Sequence, residues 1–132
     1  MAKRILLIDD DPDFVLATQT LLEANGYAVE VASNGTEAVE LIEQGRSYDL
    51  FLIDAMMSTL TEGFELIYHL RNKPKTAKTP MIMLTSIEQR LGGQFEPAKD
   101  RQDLMLDAFL RKPVEPDELL NQIRTLLDDE DH

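Results

Sequence analysis

Five short apolar runs punctuate the chain: "RILLI" (4–8), "AVEV" (28–31), "LFLI" (50–53), "MIML" (81–84) and "FL" (109–110). Four of the five are too apolar to lie half-exposed, and runs buried on both faces belong to a parallel sheet covered by helices. Longer stretches of helical period separate them. In the first, Phe14, Ala17, Leu21 and Leu22 recur at helical spacing, with Pro12 suited to a first turn and Gly26 to a C-terminal stop. "GTEAVELIEQG" places Ala38, Leu41 and Ile42 on one face. "EGFELIYHLRN" sets Phe64, Ile67, Tyr68 and Leu70 or Arg71 in the same rhythm, with Pro74 beyond its end. A last helix opens at "EPDELL" and turns Leu119, Leu120, Ile123, Leu126 and Leu127 inward, with acids at its positive end. The order is βαβαβαβαβα, and right-handed crossovers reduce the choices to a doubly wound five-stranded parallel sheet with helices on both faces. The segment 86–108 is the least regular, with a short helix, a Gly92-Gly93 break and a helical piece near 97–106 expected.

The chain has 132 residues, the length of a single domain, expected over 1–132 with an ordered core at 3–128 and an acidic tail at 129–132. It has no cysteine, so disulfides and thiolate metal sites are excluded and a reducing compartment is expected. Ile5 to Ile8 is too short for a signal-peptide core, and no run approaches a membrane span. A cytoplasmic location is expected. Thirteen Lys and Arg against 25 Asp and Glu give a net charge of -12, which argues against direct binding to a phosphate backbone.

Polar residues fall where the apolar runs end. Asp9 and Asp10 follow the first run, Asp54 the third, Thr85 and Ser86 the fourth, and Lys112 the fifth. In open parallel sheets these positions share one edge, where ligands bind. Asp11, directly before Pro12, suits a helix N-cap. Each residue has an ordinary explanation alone: loop polarity for Asp54, a solvated cation for Lys112, a β-branched strand end for Thr85. Their joint placement does not. Three carboxylates within ~5 Å repel by several kcal/mol at an effective dielectric near 20, and a hard cation such as Mg²⁺, which accepts carboxylates, a carbonyl and waters, would compensate them.

With "LLIDDDPDF", "DLFLIDAMM", "MIMLTS" and "FLRKP" in this order, the chain resembles a response-regulator receiver domain of a two-component system over residues 3–128. The resemblance implies a flavodoxin-like sheet of order 2-1-3-4-5, akin to the single-domain chemotaxis-type regulators. It implies Asp54 as phosphoacceptor, taking a phosphoryl group from the phosphohistidine of a sensor histidine kinase or a histidine phosphotransfer protein. Asp10, Asp54 and the Met56 carbonyl would hold Mg²⁺, with Asp9 acting directly or through water. Lys112 would pair with Asp54 and then with a phosphoryl oxygen, and Thr85 would reach another. Phe109 would turn inward as Thr85 moves, and Lys112-Pro113 is expected to be cis. Met56 and Ile87 would tune hydrolysis, and both are apolar here, so slow decay of the aspartyl phosphate is expected. The implied protein is a switch rather than an enzyme with a separate substrate, a monomer or phosphorylation-linked dimer signalling to a partner protein.

The family pattern has Pro four and Gly eight residues after the phosphoacceptor, where this chain has Ser58 and, one place late, Gly63. The spacing from Thr85 to Lys112 is longer than usual, and Met105-Leu106 replaces a common Gly-Ala. A haloacid-dehalogenase-like phosphatase would need a second Asp at position 56, which is Met. A nucleotide-binding domain would need a Gly-rich loop after the first strand, which is absent. A receiver used as a phosphorylation-independent interaction module is the remaining alternative.

Overall fold

The structure is a computed structural model. It describes residues 2–54, 62–86, 108–112 and 114–128, with the side chains at 62–64, 85, 86, 109, 111, 112 and 128 outside that description. The elements run β1 (Arg4–Ile8), α1 (Pro12–Ala24), β2 (Ala28–Ala32), α2 (Gly35–Glu43), β3 (Leu50–Asp54), α3 (Glu62–Arg71), β4 (Met81–Ser86), β5 (Ala108–Lys112) and α4 (Pro116–Asp128). The strands form one parallel sheet in the order β2-β1-β3-β4-β5.

The strand pleat sorts the core into two layers. Leu6 and Ile8 of β1, Phe51 and Ile53 of β3, and Met81 and Met83 of β4 pack with Ala38 and Ile42 of α2 and Leu66, Ile67 and Leu70 of α3. On the opposite face Ile5, Leu7, Leu50, Leu52, Ile82, Leu84, Ala108 and Leu110 pack with Leu22 of α1 and Leu119, Leu120, Ile123 and Leu127 of α4. Burying each large aliphatic side chain contributes about 1.5–3 kcal/mol.

β2 takes the sheet edge that the expected order gives it and is half-exposed along most of its length. Two details depart from the sequence expectation. In α1, Ala17 is exposed and Thr18 takes the buried position with Leu22, because Val15, Thr18 and Leu22 follow the 3.6-residue repeat toward the sheet. In α3, Tyr68 is 54% exposed, and Leu66, Ile67 and Leu70 form the inward stripe instead. The expectations for segment 86–108 and for the tail at 129–132 lie outside the described residues.

The N-terminal end of the sheet is fastened by polar groups. The Glu30 carboxylate accepts from Arg4 Nη2 at 3.0 Å and from the Tyr48 hydroxyl at 2.9 Å, and pairs with Arg46 Nη1 at 2.9 Å. Burial pushes the Tyr48 hydroxyl up to a pKa of about 12, and the hydrogen bond to Glu30 and its charge add to the rise. The backbone N–H of Arg4 donates to Asp49 Oδ2 at 2.7 Å. These contacts tie β1, β2 and the entry to β3 together at the edge opposite the strand-end acids.

Candidate functional site

The connection from β1 leads to β2 on one side, while β3 leads on to β4 on the other, so the strand order reverses between β1 and β3. Crevices in open parallel sheets form beyond the carboxyl ends of the strands at such a point. Asp9 stands one residue past β1 and Asp54 closes β3. Ile8 is opposite Ile53 in the register, so the next step brings positions 9 and 54 side by side. The pleat sets their side as well: Asp9 continues the series Ile5, Leu7, and Asp54 the series Leu50, Leu52, both on the face covered by α1 and α4.

Local backbone chemistry then divides the work of the three adjacent acids. Asp11 is the N-cap of α1, and its Oδ1 accepts from the N–H groups of Asp13 at 3.1 Å and Phe14 at 3.4 Å. Its own N–H donates to Asp9 Oδ1 at 2.9 Å. The Asp9 N–H donates in turn to the Ala32 carbonyl at the end of β2, at 3.1 Å. Asp9 is thereby held through its backbone by β2 and through its carboxylate by the start of α1. Asp10, between them, is exposed, whereas Asp9 and Asp54 are only 1% and 4% exposed.

One carboxylate oxygen from each of Asp9, Asp10 and Asp54 lies within 4.8 Å of the others. Among the described residues this is the one group of three or more acids or histidines that converges so closely. At an effective dielectric near 20, two carboxylates at that distance repel by roughly 3 kcal/mol. The donor set, all hard oxygens with two of the three groups buried, fits a divalent cation of the Mg²⁺ type.

The other expected residues are placed by register. Leu84 of β4 is opposite Asp54, so Thr85 lies one step beyond it, opposite Arg111. Lys112 ends β5 opposite Ser86, on the same edge of the sheet as Asp54. Phe109 is opposite Met83, three residues before Lys112. Met56 and its carbonyl, Ile87, Ser58 and Pro113, and with Pro113 the expected cis bond, lie outside the described residues. The Asp11 amide and the Ala32 carbonyl, which position Asp9, were not foreseen. Backbone groups leave no residue-type signal, though the N-cap at Asp11 fixes where that amide must stand.

The described residues therefore place an acid-lined crevice at the switch point of a parallel sheet, and the chain is similar to proteins of known kind over most of its length. Residues 5–124 match the model of the response regulator receiver domain. The DNA-binding dual master transcriptional regulator RpaA of Synechocystis is 35% identical over 124 residues, covering 94% of this chain and 48% of that protein. The CpxR homolog of Haemophilus influenzae is 35% identical over 128 residues, with 94% and 50% covered. The chain thus spans about half the length of these curated relatives. A CheY-like receiver domain protein from Methanospirillum hungatei superposes with a TM-score of 0.82 at 30% identity, covering 99% of this chain and 98% of that one. The chemotaxis regulator CheY4 of Vibrio cholerae gives 0.80 at 25% identity, with 96% and 100% covered. With a family match over nearly its full length and the acidic crevice where that fold keeps its site, the chain belongs to the response regulator receiver domains.

Proposed function

We propose that this domain accepts a phosphoryl group on Asp54 from the phosphohistidine of a sensor histidine kinase or histidine phosphotransfer protein, and that the modified domain signals to a partner protein. The observation that carries the reading is the convergence of Asp9 and Asp10 on Asp54 at the switch point of the sheet. Asp10, Asp54 and the Met56 carbonyl would hold Mg²⁺, with Asp9 acting directly or through water. When bound, the cation supplies positive charge against the phosphoryl oxygens and the clustered acids.

The chain's own groups carry the rest. An Asp54 carboxylate oxygen forms the new O–P bond as the P–N bond to the donor imidazole breaks, and the donor imidazole, already protonated on its other ring nitrogen, leaves as the neutral base with the P–N electron pair. Phosphoryl transfer asks the protein chiefly for in-line placement and charge neutralisation. The Asp9 carboxylate, fixed by the Asp11 amide, preserves the geometry beside the nucleophile. Lys112, at the same sheet edge, would pair with Asp54 before transfer and with a phosphoryl oxygen after it. The Thr85 hydroxyl would take a further oxygen, and its movement would draw Phe109 inward. The acyl phosphate adds charge and acceptors, which reshape the neighbouring face. The domain promotes only its own phosphorylation and dephosphorylation, and is a switch without a separate substrate. No described helix is long and apolar enough to cross a membrane.

Incubation with acetyl phosphate and Mg²⁺, read by intact mass, tests the assignment. A gain of one phosphoryl group is expected for the wild type and none for Asp54→Ala. A gain that persists in Asp54→Ala overturns Asp54 as acceptor. No gain in the wild type favours a phosphorylation-independent interaction module.

A further inference from the structure

Three acids stand in a row at positions 9, 10 and 11, and the first two converge with Asp54. The third, Asp11, is exposed and its carboxylate turns to the helix instead. Oδ1 accepts from the N–H groups of Asp13 at 3.1 Å and Phe14 at 3.4 Å, two of the donors that the first turn of α1 leaves without a partner along the helix. The Asp11 carbonyl accepts the first α1 bond, from the Val15 N–H at 2.9 Å. With φ -87° and ψ 106° the residue is extended, and its own N–H points away from the helix and donates to Asp9 Oδ1 at 2.9 Å. Asp11 thus joins α1, through its side chain and carbonyl, to the crevice, through its amide.

That junction bears on a cation. The Asp9 N–H, bonded to the Ala32 carbonyl at 3.1 Å, fixes the backbone of Asp9, but a backbone anchor does not by itself aim the side chain. The Asp11 amide aims it, and stays in place while Asp11 holds the extended backbone of a capped helix start. With no acceptor at position 11 the first turn of α1 frays, and the amide that faces Asp9 moves with it. Mg²⁺ demands near-ideal octahedral geometry and tolerates little freedom in an oxygen ligand. Groups that hydrogen-bond a metal-ligating carboxylate therefore tune affinity without meeting the metal.

We propose, on the reading of the crevice as a cation site, that Asp11 is a positioning residue: its N-cap fixes the amide that aims Asp9, and so raises Mg²⁺ affinity without touching the ion. The rival cause is the charge of Asp11, which would attract a cation directly. An exposed carboxylate engaged by two helix amides contributes little of that kind in about 0.15 M salt, where the Debye length is about 8 Å. Asn separates the two causes, because it caps a helix as well as Asp does and carries no charge.

The test is the Mg²⁺ affinity of the isotope-labelled protein without phosphodonor, at that ionic strength, read from the amide shifts that follow added Mg²⁺. Asp11→Ala should weaken binding by about tenfold, and Asp11→Asn, which keeps the cap and drops the charge, by less than about threefold. Thr76→Val is the control for general loosening. It removes the buried hydroxyl bond to the Leu70 carbonyl in the connection from α3 to β4, at the far edge of the sheet, and should change affinity by less than about twofold. Wild-type affinity in Asp11→Ala would overturn the proposal and leave the cation reading standing. Equal losses in Asp11→Ala and Asp11→Asn would assign the effect to charge and overturn it too, as would an equal loss in Thr76→Val. No Mg²⁺ binding by the wild type would remove the cation reading itself, and the proposal with it.

Discussion

Asp9 shows how a single carboxylate is aimed. Its own amide donates to the Ala32 carbonyl at 3.1 Å, which fixes its backbone, and its side chain accepts from the Asp11 amide at 2.9 Å, so the carboxylate cannot swing away from Asp54 without losing that bond. The residue types at 9, 10 and 54 were readable because each ends or follows an apolar run. The contacts that hold Asp9 were not, since they are made by backbone. The same scale governs the lifetime of the phosphoryl group: Met56, two positions after the proposed acceptor in sequence, is apolar, so Met56→Asn should bring in and orient water and speed hydrolysis. Decay of the phosphorylated protein, followed by intact mass, checks this, and an unchanged rate counts against it. Tyr48 offers a separate measurement. Its hydroxyl, half-buried and bonded to Glu30, has a folded pKa of about 12 against an ordinary 10.0, so the stability it contributes is full below pH 10 and is lost as pH rises toward 12. Tyr48→Phe should cost about 1 kcal/mol near neutrality through the lost hydrogen bond. It should also flatten the decline of stability above pH 10, as read by denaturant unfolding across pH.

At the scale of elements, α1 begins where it does because Asp11 caps it and Pro12 occupies its first turn. Asp11→Ala should destabilise the domain by about 1 kcal/mol, measured by chemical unfolding. The cap and the Gly26 stop, at φ +92°, were both readable from residue type. Of the expected stripe, Leu22 is buried and Phe14 and Leu21 pack against the core, and only Ala17 gives way, to Thr18. Ala17 carries too little apolar surface to direct a helix, and Thr18 takes the inward place. In α3 the expected Ile67 and Leu70 do face the sheet, and Tyr68 alone departs, because it looks apolar in sequence yet sits outside the arc that Leu66, Ile67 and Leu70 form. Periodicity identifies a helix from within the chain, but the direction of its buried face is set by the surface it meets. β2 illustrates the converse: its residues read as a strand, and its place at the sheet edge leaves them half-exposed.

For the whole molecule, the crevice couples ligand binding to folding. Asp9 and Asp54 are buried with their carboxylates in mutual reach, a repulsion the folded state bears alone and a bound cation relieves. In chelator, Asp54→Asn should therefore melt at a higher temperature than the wild type. Saturating Mg²⁺, at 100 times its dissociation constant, should stabilise the wild type by about 2.7 kcal/mol, or roughly 10 °C in Tm, and reverse the order. Thermal melts of both proteins with and without Mg²⁺ check this, and no reversal would count against the metal assignment. Among the described residues the sequence by itself determined which segments are strands and helices, that the sheet is parallel, and which carboxylates, hydroxyl and lysine end its strands, because these follow from local periodicity and residue type. Only the tertiary structure decided that Asp9 and Asp54 become neighbours on one face and that Asp9 is anchored to β2. Those relations depend on strand order and register, which arise when segments distant along the chain compete to bury the same surface.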